Sequence, residues 1–376
     1  MNRILIIGGG FAGLSAAGKL CKFDPKLNVI LIDKKETTDF LPMLPDCIGR
    51  GINPEFLAYK IEDMSSKAGF KFIRDEVVSM DLDKKQVLTK TQALSYDYLV
   101  IASGSETNFY GNDNIKQNSL TLDSADDAQK IVNILRQNDF DNFIVGGGGY
   151  TGIEVATNLR VYLDKVKRNG KIMIVERLPA ILGSLPDWMK NYVAINLKKM
   201  NVEVCLDSTI GKIEGRRVDL SGGKSFNNAL VIWAAGVKTT EFIQNLKLKK
   251  NPQGRIKVDE FLRINDKCFA VGDAALFNYK GGFLRMAVQF AITQGECVAL
   301  NIINSIKGIS LKKFTPGDLG YIIPMANNKS CGVIFGLNLK GFFPTVLHFI
   351  MCIYRSYGIK NKLGIIRDLK KRTFTE

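Results

Sequence analysis

The feature that most constrains this chain is a strand, a glycine turn and a helix start, and it occurs twice. Ile4-Leu5-Ile6-Ile7 is a short apolar run. Gly8-Gly9-Gly10-Phe11-Ala12-Gly13 follows at once, and Leu14, Ala17, Leu20 and Cys21 then recur at helical spacing. A pyrophosphate requires such an arrangement. Gly8 permits the tight turn, Gly10 lets backbone N–H groups approach the phosphates, and Gly13 lets helix and strand pack closely, so the positive helix end faces the anion. Phe11 and Ala12 open that helix. At the end of Val29-Ile30-Leu31-Ile32 stands Asp33, whose carboxylate can accept both hydroxyls of an adenosine ribose.

The second copy repeats each part: strand Phe143-Ile144-Val145, turn Gly147-Gly148-Gly149-Tyr150-Thr151-Gly152, strand Ile172-Met173-Ile174-Val175, then Glu176. A carboxylate there repels a 2′-phosphate and favours NADH over NADPH, although Arg177 next to it pulls the other way. With 35 Gly in 376 residues the bare spacing arises by chance roughly 0.3 times per chain, so one copy would be weak. Two copies, each between strands and each followed by an acid, point to two dinucleotides.

A third element returns the chain to the first domain. Cys268-Phe269-Ala270-Val271 ends in Gly272-Asp273, which places a carboxylate near a ribityl chain and a helix start near a pyrophosphate, the combination expected of FAD. Taken alone, Gly-Asp is an ordinary turn and cap.

These motifs resemble the two-dinucleotide-binding-domain flavoproteins over roughly residues 3 to 300. Tyr96-Asp97-Tyr98-Leu99-Val100-Ile101-Ala102-Ser103-Gly104-Ser105 looks like that family's crossover into the second domain, and Leu230-Val231-Ile232-Trp233-Ala234-Ala235-Gly236-Val237 like its mirror. Backbone can lie against a cofactor at such small residues. The resemblance implies an α/β fold of two Rossmann-like domains, the NADH domain (109–240) inserted in the FAD domain (1–108 and 241–310), plus a C-terminal membrane-associating α+β extension (311–376). It also extends the expected FAD contacts to Lys34, Pro42, Leu44 and Val77.

Within the family, disulfide reductases carry a CxxxxC pair where this chain has Cys47 alone, so a dithiol relay lacks its second sulfur. Phe40-Leu41-Pro42-Met43-Leu44-Pro45 and Gln289-Phe290-Ala291-Ile292-Thr293-Gln294-Gly295 are similar to segments of type II NADH:quinone oxidoreductases. Val288 and Thr293 depart from the family pattern of the second. The resemblance implies that Gln289 and Gln294 serve flavin and quinone, by hydrogen bonds to the flavin edge and a quinone carbonyl. Without it they read as a polar helix face. Glu154 matches the family's nucleotide-site glutamate, where burial can raise its pKa for proton transfer; the plain alternative is a first-turn acid on a helix.

The formal charge of +15 favours an anionic surface, nucleic acid or acidic lipid. No basic run interleaved with aromatics occurs in the main body, so nucleic acid is not expected. Instead Phe342–Tyr354 is aromatic-rich, and Arg355, Lys360, Lys362, Arg367, Lys370, Lys371 and Arg372 follow against only Asp368 and Glu376. Thirteen residues fall short of the about 20 needed to span a bilayer. Residues 341–376 therefore read as a helix pair lying in the interface, with packing on the protein itself or on a homodimer partner as the alternative.

The chain opens directly on a strand, so no signal peptide is expected. Seven scattered Cys read as packing residues in a reducing compartment. No metal or iron–sulfur ligand set is apparent. His348 reads as an interfacial or packing residue. Together these expectations describe a non-pumping NADH:quinone oxidoreductase bound peripherally to the cytoplasmic face of the cell membrane. Its alternatives are a soluble reductase of a rubredoxin- or ferredoxin-type protein and an apoptosis-inducing-factor-like NADH-binding flavoprotein.

Overall fold

A computed structural model describes residues 2–373, with side chains to residue 371. The chain forms two compact units. The first comprises residues through Thr38, Tyr59–Glu106 and Val237–Asp318; the second comprises Asp39–Ala58, Thr107–Gly236 and the chain from Leu319 onward.

The first unit is built on a six-stranded sheet ordered Arg263–Asn265, Cys268–Ala270, Tyr98–Ile101, Arg3–Ile7, Asn28–Asp33 and Lys71–Arg74. Every pairing except the outermost, Arg263–Asn265 with Cys268–Ala270, is parallel. Parallel strands covered on both faces read as unbroken apolar runs, and Ile4, Leu5, Ile6, Leu99, Val100 and Ile101 are all fully buried. Burying each such side chain stabilises by about 1.5–3 kcal/mol. The fingerprint helix Phe11–Phe23 covers one face with Ala16, Ala17 and Leu20, and packs closely on the long helix Val288–Ile306. Gly295 makes that approach possible, because a Cβ there would collide with the Ala12 carbonyl.

The second unit repeats the plan with four parallel strands ordered Val202–Cys205, Lys171–Val175, Asn142–Gly146 and Ala229–Trp233. Its fingerprint helix is Tyr150–Lys165. The C-terminal segment adds an antiparallel sheet of Gly320–Ile323, Ser330–Ile334 and Leu337–Gly341, then helices Phe342–Arg355 and Ile359–Thr373. Ile323, Met325 and Cys331 join the same core as Val145, Ile153 and Leu197, so this sheet is part of the unit. The α/β class with two Rossmann-like sheets, one chain segment inserted in the other, matches the expectation from sequence.

Among the described residues no helix is long and apolar enough to cross a membrane. One flank of the last helix is buried: Ile365 is fully covered, Asp368 accepts the Asn53 N–H at 3.1 Å, and Gly364 lies against the Phe56 ring. The opposite flank, with Phe342, Phe343, Ile350, Tyr354, Ile359 and Leu363 on the two helices, is exposed. Of the tail carrying the basic run, the Arg372 side chain and residues 374–376, including Glu376, lie outside the described residues.

Candidate functional site: two glycine turns

At the first turn Gly8 has φ +108°, a conformation open to glycine, and a Cβ there would strike Ala102 and Ser103. A Cβ on Gly13 would collide with the Gly8 carbonyl. Gly10 is different: its backbone is extended (φ −82°, ψ −170°), and no protein atom lies within 4 Å of where its Cβ would be. Nothing in the protein demands glycine there, which fits a demand made by a ligand that approaches the backbone. Asp33 accepts the Gly9 N–H at 2.6 Å and the Lys35 N–H at 2.8 Å, so the carboxylate is aimed along the turn. The Ser103 hydroxyl, beside Gly8, is buried with no hydrogen-bond partner, an orphan that a phosphate or ribityl oxygen would satisfy.

The return segment meets this turn. Gly272 lies against Ala12, and its N–H donates to Gln294 Oε1 at 2.6 Å. Asp273 accepts the Ser105 hydroxyl at 2.7 Å. Burial raises its carboxyl above the usual range, opposed by Ser105 and by the Arg255 guanidinium. Arg255 is itself buried and donates to the Ala275 and Leu284 carbonyls. The unit thus brings together Gly8, Gly10, Phe11, Ala12, Gly13, Asp33, Ala102, Ser103, Gly104, Gly272, Asp273 and Gln294. Gln289 lies on the same helix as Gln294 but reaches Asp318 at 3.2 Å, where Arg285 makes a two-pronged ion pair. Lys34 is exposed, 4.0 Å from Glu76, and Val77 begins an adjoining antiparallel strand. Pro42 and Leu44 fall in the second unit, in the short helical stretch Leu41–Gly49.

The second turn repeats the geometry closely. Gly147 has φ +106°; a Cβ would strike Ala234 and Ala235, and one on Gly152 would collide with the Gly147 carbonyl. Gly149 is extended (φ −80°, ψ −169°), again with no protein atom near its missing Cβ. Glu176 accepts the Gly148 N–H at 2.6 Å and the Leu178 N–H at 2.9 Å. Gly236, at φ +89°, follows Ala235 on the neighbouring strand end, and Tyr150 packs edge-on to Tyr321. Thr151 is exposed.

Glu154 is the fifth residue of that helix and lies past its first turn, which corrects the plain expectation of a first-turn acid; it is surrounded densely enough that burial, aided by the Asp46 charge, raises its carboxyl well above the usual carboxylate range. Asp46 and Arg50 form a buried ion pair at 2.9 Å, and the Arg50 guanidinium sits 4.8 Å from the Phe349 ring. Burial and Arg50 push His348 down to about 4, so it is neutral near pH 7, its Nε2 3.7 Å from Cys352 Sγ. Cys47 is buried and its thiol is pushed up, first by burial and then by Asp46; all seven cysteines are free. Ser105 closes the crossover segment read from the sequence, whereas nothing in the local spacing of Asp46, Arg50 and Arg255 distinguishes them from ordinary charged positions. Among the described residues no cluster of His, Cys, Asp and Glu is placed to hold a metal.

Two sheets whose central strands run parallel, each carrying a glycine turn backed by a carboxylate, define an α/β protein with two dinucleotide sites. The profile of the pyridine nucleotide-disulphide oxidoreductases matches residues 2–295, and the chain belongs to that family. It is 27% identical over 368 residues to a type II NADH:quinone oxidoreductase of Staphylococcus aureus, covering 90% of this chain and 91% of that one. It is equally 27% identical to the demethylphylloquinone reductase NdbB of Synechocystis, covering 92% and 89%. In fold it resembles NDH2 of Plasmodium falciparum, solved in complex with NADH, with a TM-score of 0.86 at 17% identity over 99% of this chain and 98% of that one. The sulfide:quinone oxidoreductase of Aquifex aeolicus has a TM-score of 0.80 at 18% identity, covering 97% and 92%, so fold alone does not select the electron donor.

Proposed function

We propose that this chain is a peripheral membrane, FAD-dependent NADH:quinone oxidoreductase that passes hydride from NADH to FAD and two electrons onward to a quinone, without pumping protons. One observation carries the reading: a duplicated phosphate turn with an acid, not a cation, at each ribose position. Similarity over nine-tenths of the chain to an NADH:quinone oxidoreductase supports it.

In the first unit the extended backbone at Gly10 and the helix start at Phe11 would receive the FAD pyrophosphate, Asp33 its adenosine ribose, and Ser103 and Asp273 its polar chain. Bound FAD supplies the redox chemistry, and the protein supplies position and charge. In the second unit Gly149, with Tyr150 and Thr151 beside it, would receive the NADH pyrophosphate, and Glu176 would hold the ribose hydroxyls while repelling a 2′-phosphate. Glu154, its carboxyl raised first by burial and then by the Asp46 charge, is the group suited to hand on a proton when quinone takes up electrons. Gln294, occupied by the Gly272 N–H, acts as a positioning residue, whereas Gln289 is half-exposed and within reach of an arriving quinone carbonyl.

The exposed flank of the last two helices supports membrane docking, which we assign to the cytoplasmic face. Arg355, Lys360, Lys362, Arg367, Lys370 and Lys371 border its apolar residues, and a cavity of about 400 Å³ is lined by Leu363, Ile366, Arg367, Lys370 and Lys371. Apolar surface bordered by cations suits acyl chains beneath anionic headgroups. The test is anaerobic: NADH should bleach the flavin absorbance, a short-chain quinone should restore it, and the protein should sediment with anionic but not zwitterionic vesicles. Flavin that NADH reduces but quinone leaves reduced would remove quinone as acceptor.

A further inference from the structure

In the second unit an exposed tyrosine overhangs the strand ends at which the dinucleotide would lie. Residues 108–112 form a tight turn bolted to the strand Ala229–Trp233 and the loop after it. Asn108 N–H donates to the Gly236 carbonyl at 3.1 Å, the Asn108 carbonyl accepts Trp233 Nε1 at 2.9 Å, and Phe109 stacks on the Trp233 ring at 6.4 Å. The Tyr110 N–H closes the turn on Asn108 Oδ1 at 2.9 Å. At the tip Tyr110 takes φ +52°, a left-handed conformation that costs a side-chain-bearing residue energy, yet the residue is 61% exposed. Its hydroxyl lies over Gly236, where any Cβ would collide with it, and Arg177 Cζ stands 5.8 Å from its ring centroid.

Tyr110 therefore reaches from the loop after one neighbour of the central strand to the residue that follows Glu176 on the other. An exposed cation–π pair biases a conformation only a fewfold, too little to account for a rigid turn built around a left-handed tyrosine. A planar group stacked between two others needs them about 7 Å apart, so the 5.8 Å gap has to widen by about 1 Å, within the freedom of an exposed arginine. Arg177 is bonded directly to Glu176, the residue for the adenosine ribose, which puts the base carried by that ribose beside the guanidinium.

We propose that Tyr110 and Arg177 are the two jaws of a slot for the adenosine half of the dinucleotide in the second unit, a step that rests on the NADH reading above. Tyr110→Ala should raise the Kd for NADH about tenfold, the worth of one base stack, and leave the limiting rate of flavin reduction unchanged. Tyr110→Phe, which keeps the ring, should bind within about twofold of the parent, and Arg177→Ala should weaken binding about fivefold. Calorimetric titration with ADP-ribose should give the same ratios without turnover. Reduced nicotinamide mononucleotide, which lacks the adenosine, should bind the parent and Tyr110→Ala equally.

Equal or tighter NADH binding by Tyr110→Ala would overturn the slot, as would an equal loss for the mononucleotide. A parent protein that binds neither NADH nor ADP-ribose would instead overturn the NADH reading itself.

Discussion

The two units carry nearly superimposable phosphate turns and put them in different surroundings. In the first, the turn is closed by a segment from far along the chain: Gly272 packs on Ala12, Gln294 holds the Gly272 N–H, and Asp273 lies buried against Ser105. In the second, the residues around the turn are exposed or titratable: Tyr110, Arg177 and Thr151 at the surface, and Glu154 with its raised carboxyl. A permanently held cofactor suits the first arrangement, and a substrate that binds, reacts and leaves suits the second. The same motif can thus serve retention or exchange, depending on what the rest of the chain lays over it.

Matched substitutions test this contrast most severely at the third glycines. Gly13→Ala and Gly152→Ala each drive a methyl into a backbone carbonyl, which should weaken the local dinucleotide about 100-fold. Gly13→Ala should purify with little FAD, whereas Gly152→Ala should purify yellow and fail to bleach at ordinary NADH concentrations. Flavin absorbance and stopped-flow reduction separate them, and identical behaviour would abolish the distinction between the units.

A comparable effect, confined to one half-reaction, is expected of Glu154→Gln. Reoxidation by quinone should slow about 100-fold, with reduction by NADH nearly unchanged, because the variant holds no transferable proton. Stability should move the other way. The raised carboxyl means the folded state binds this proton more tightly than the unfolded chain. That contribution is full below the ordinary carboxylate range and is lost as pH rises toward the folded value. Melting temperatures from about pH 5 to about pH 8 should therefore fall less for the variant than for the parent.

The smallest effect concerns the two carboxylates. Glu176→Gln should reduce the preference for NADH over NADPH about tenfold, while Asp33→Asn should leave that preference alone and weaken FAD retention. Steady-state kinetics with both nucleotides decides it, and a preference that moves with Asp33 would reverse the assignment of the sites.

What the sequence determined by itself is local. Glycine positions demanded by a backbone turn, the apolar strands before them and the acid at the end of the next strand are short-range patterns, because steric exclusion and strand periodicity act between near neighbours. Hence Gly8, Gly13, Gly147 and Gly152 could be named as turn glycines, and Asp33 and Glu176 as the acids behind them, from sequence alone. Tertiary structure alone decided which distant residues complete each turn. Gln294 reads as a polar helix position until Gly272 is seen donating to it, and Pro42 and Leu44 sit in sequence among first-unit residues yet pack in the second. Only the fold could raise the Glu154 carboxyl, first by burial and then through Asp46, or bury one flank of the last helix on Asn53 and Phe56, since burial depends on everything that surrounds a group and no short stretch of sequence contains that surrounding.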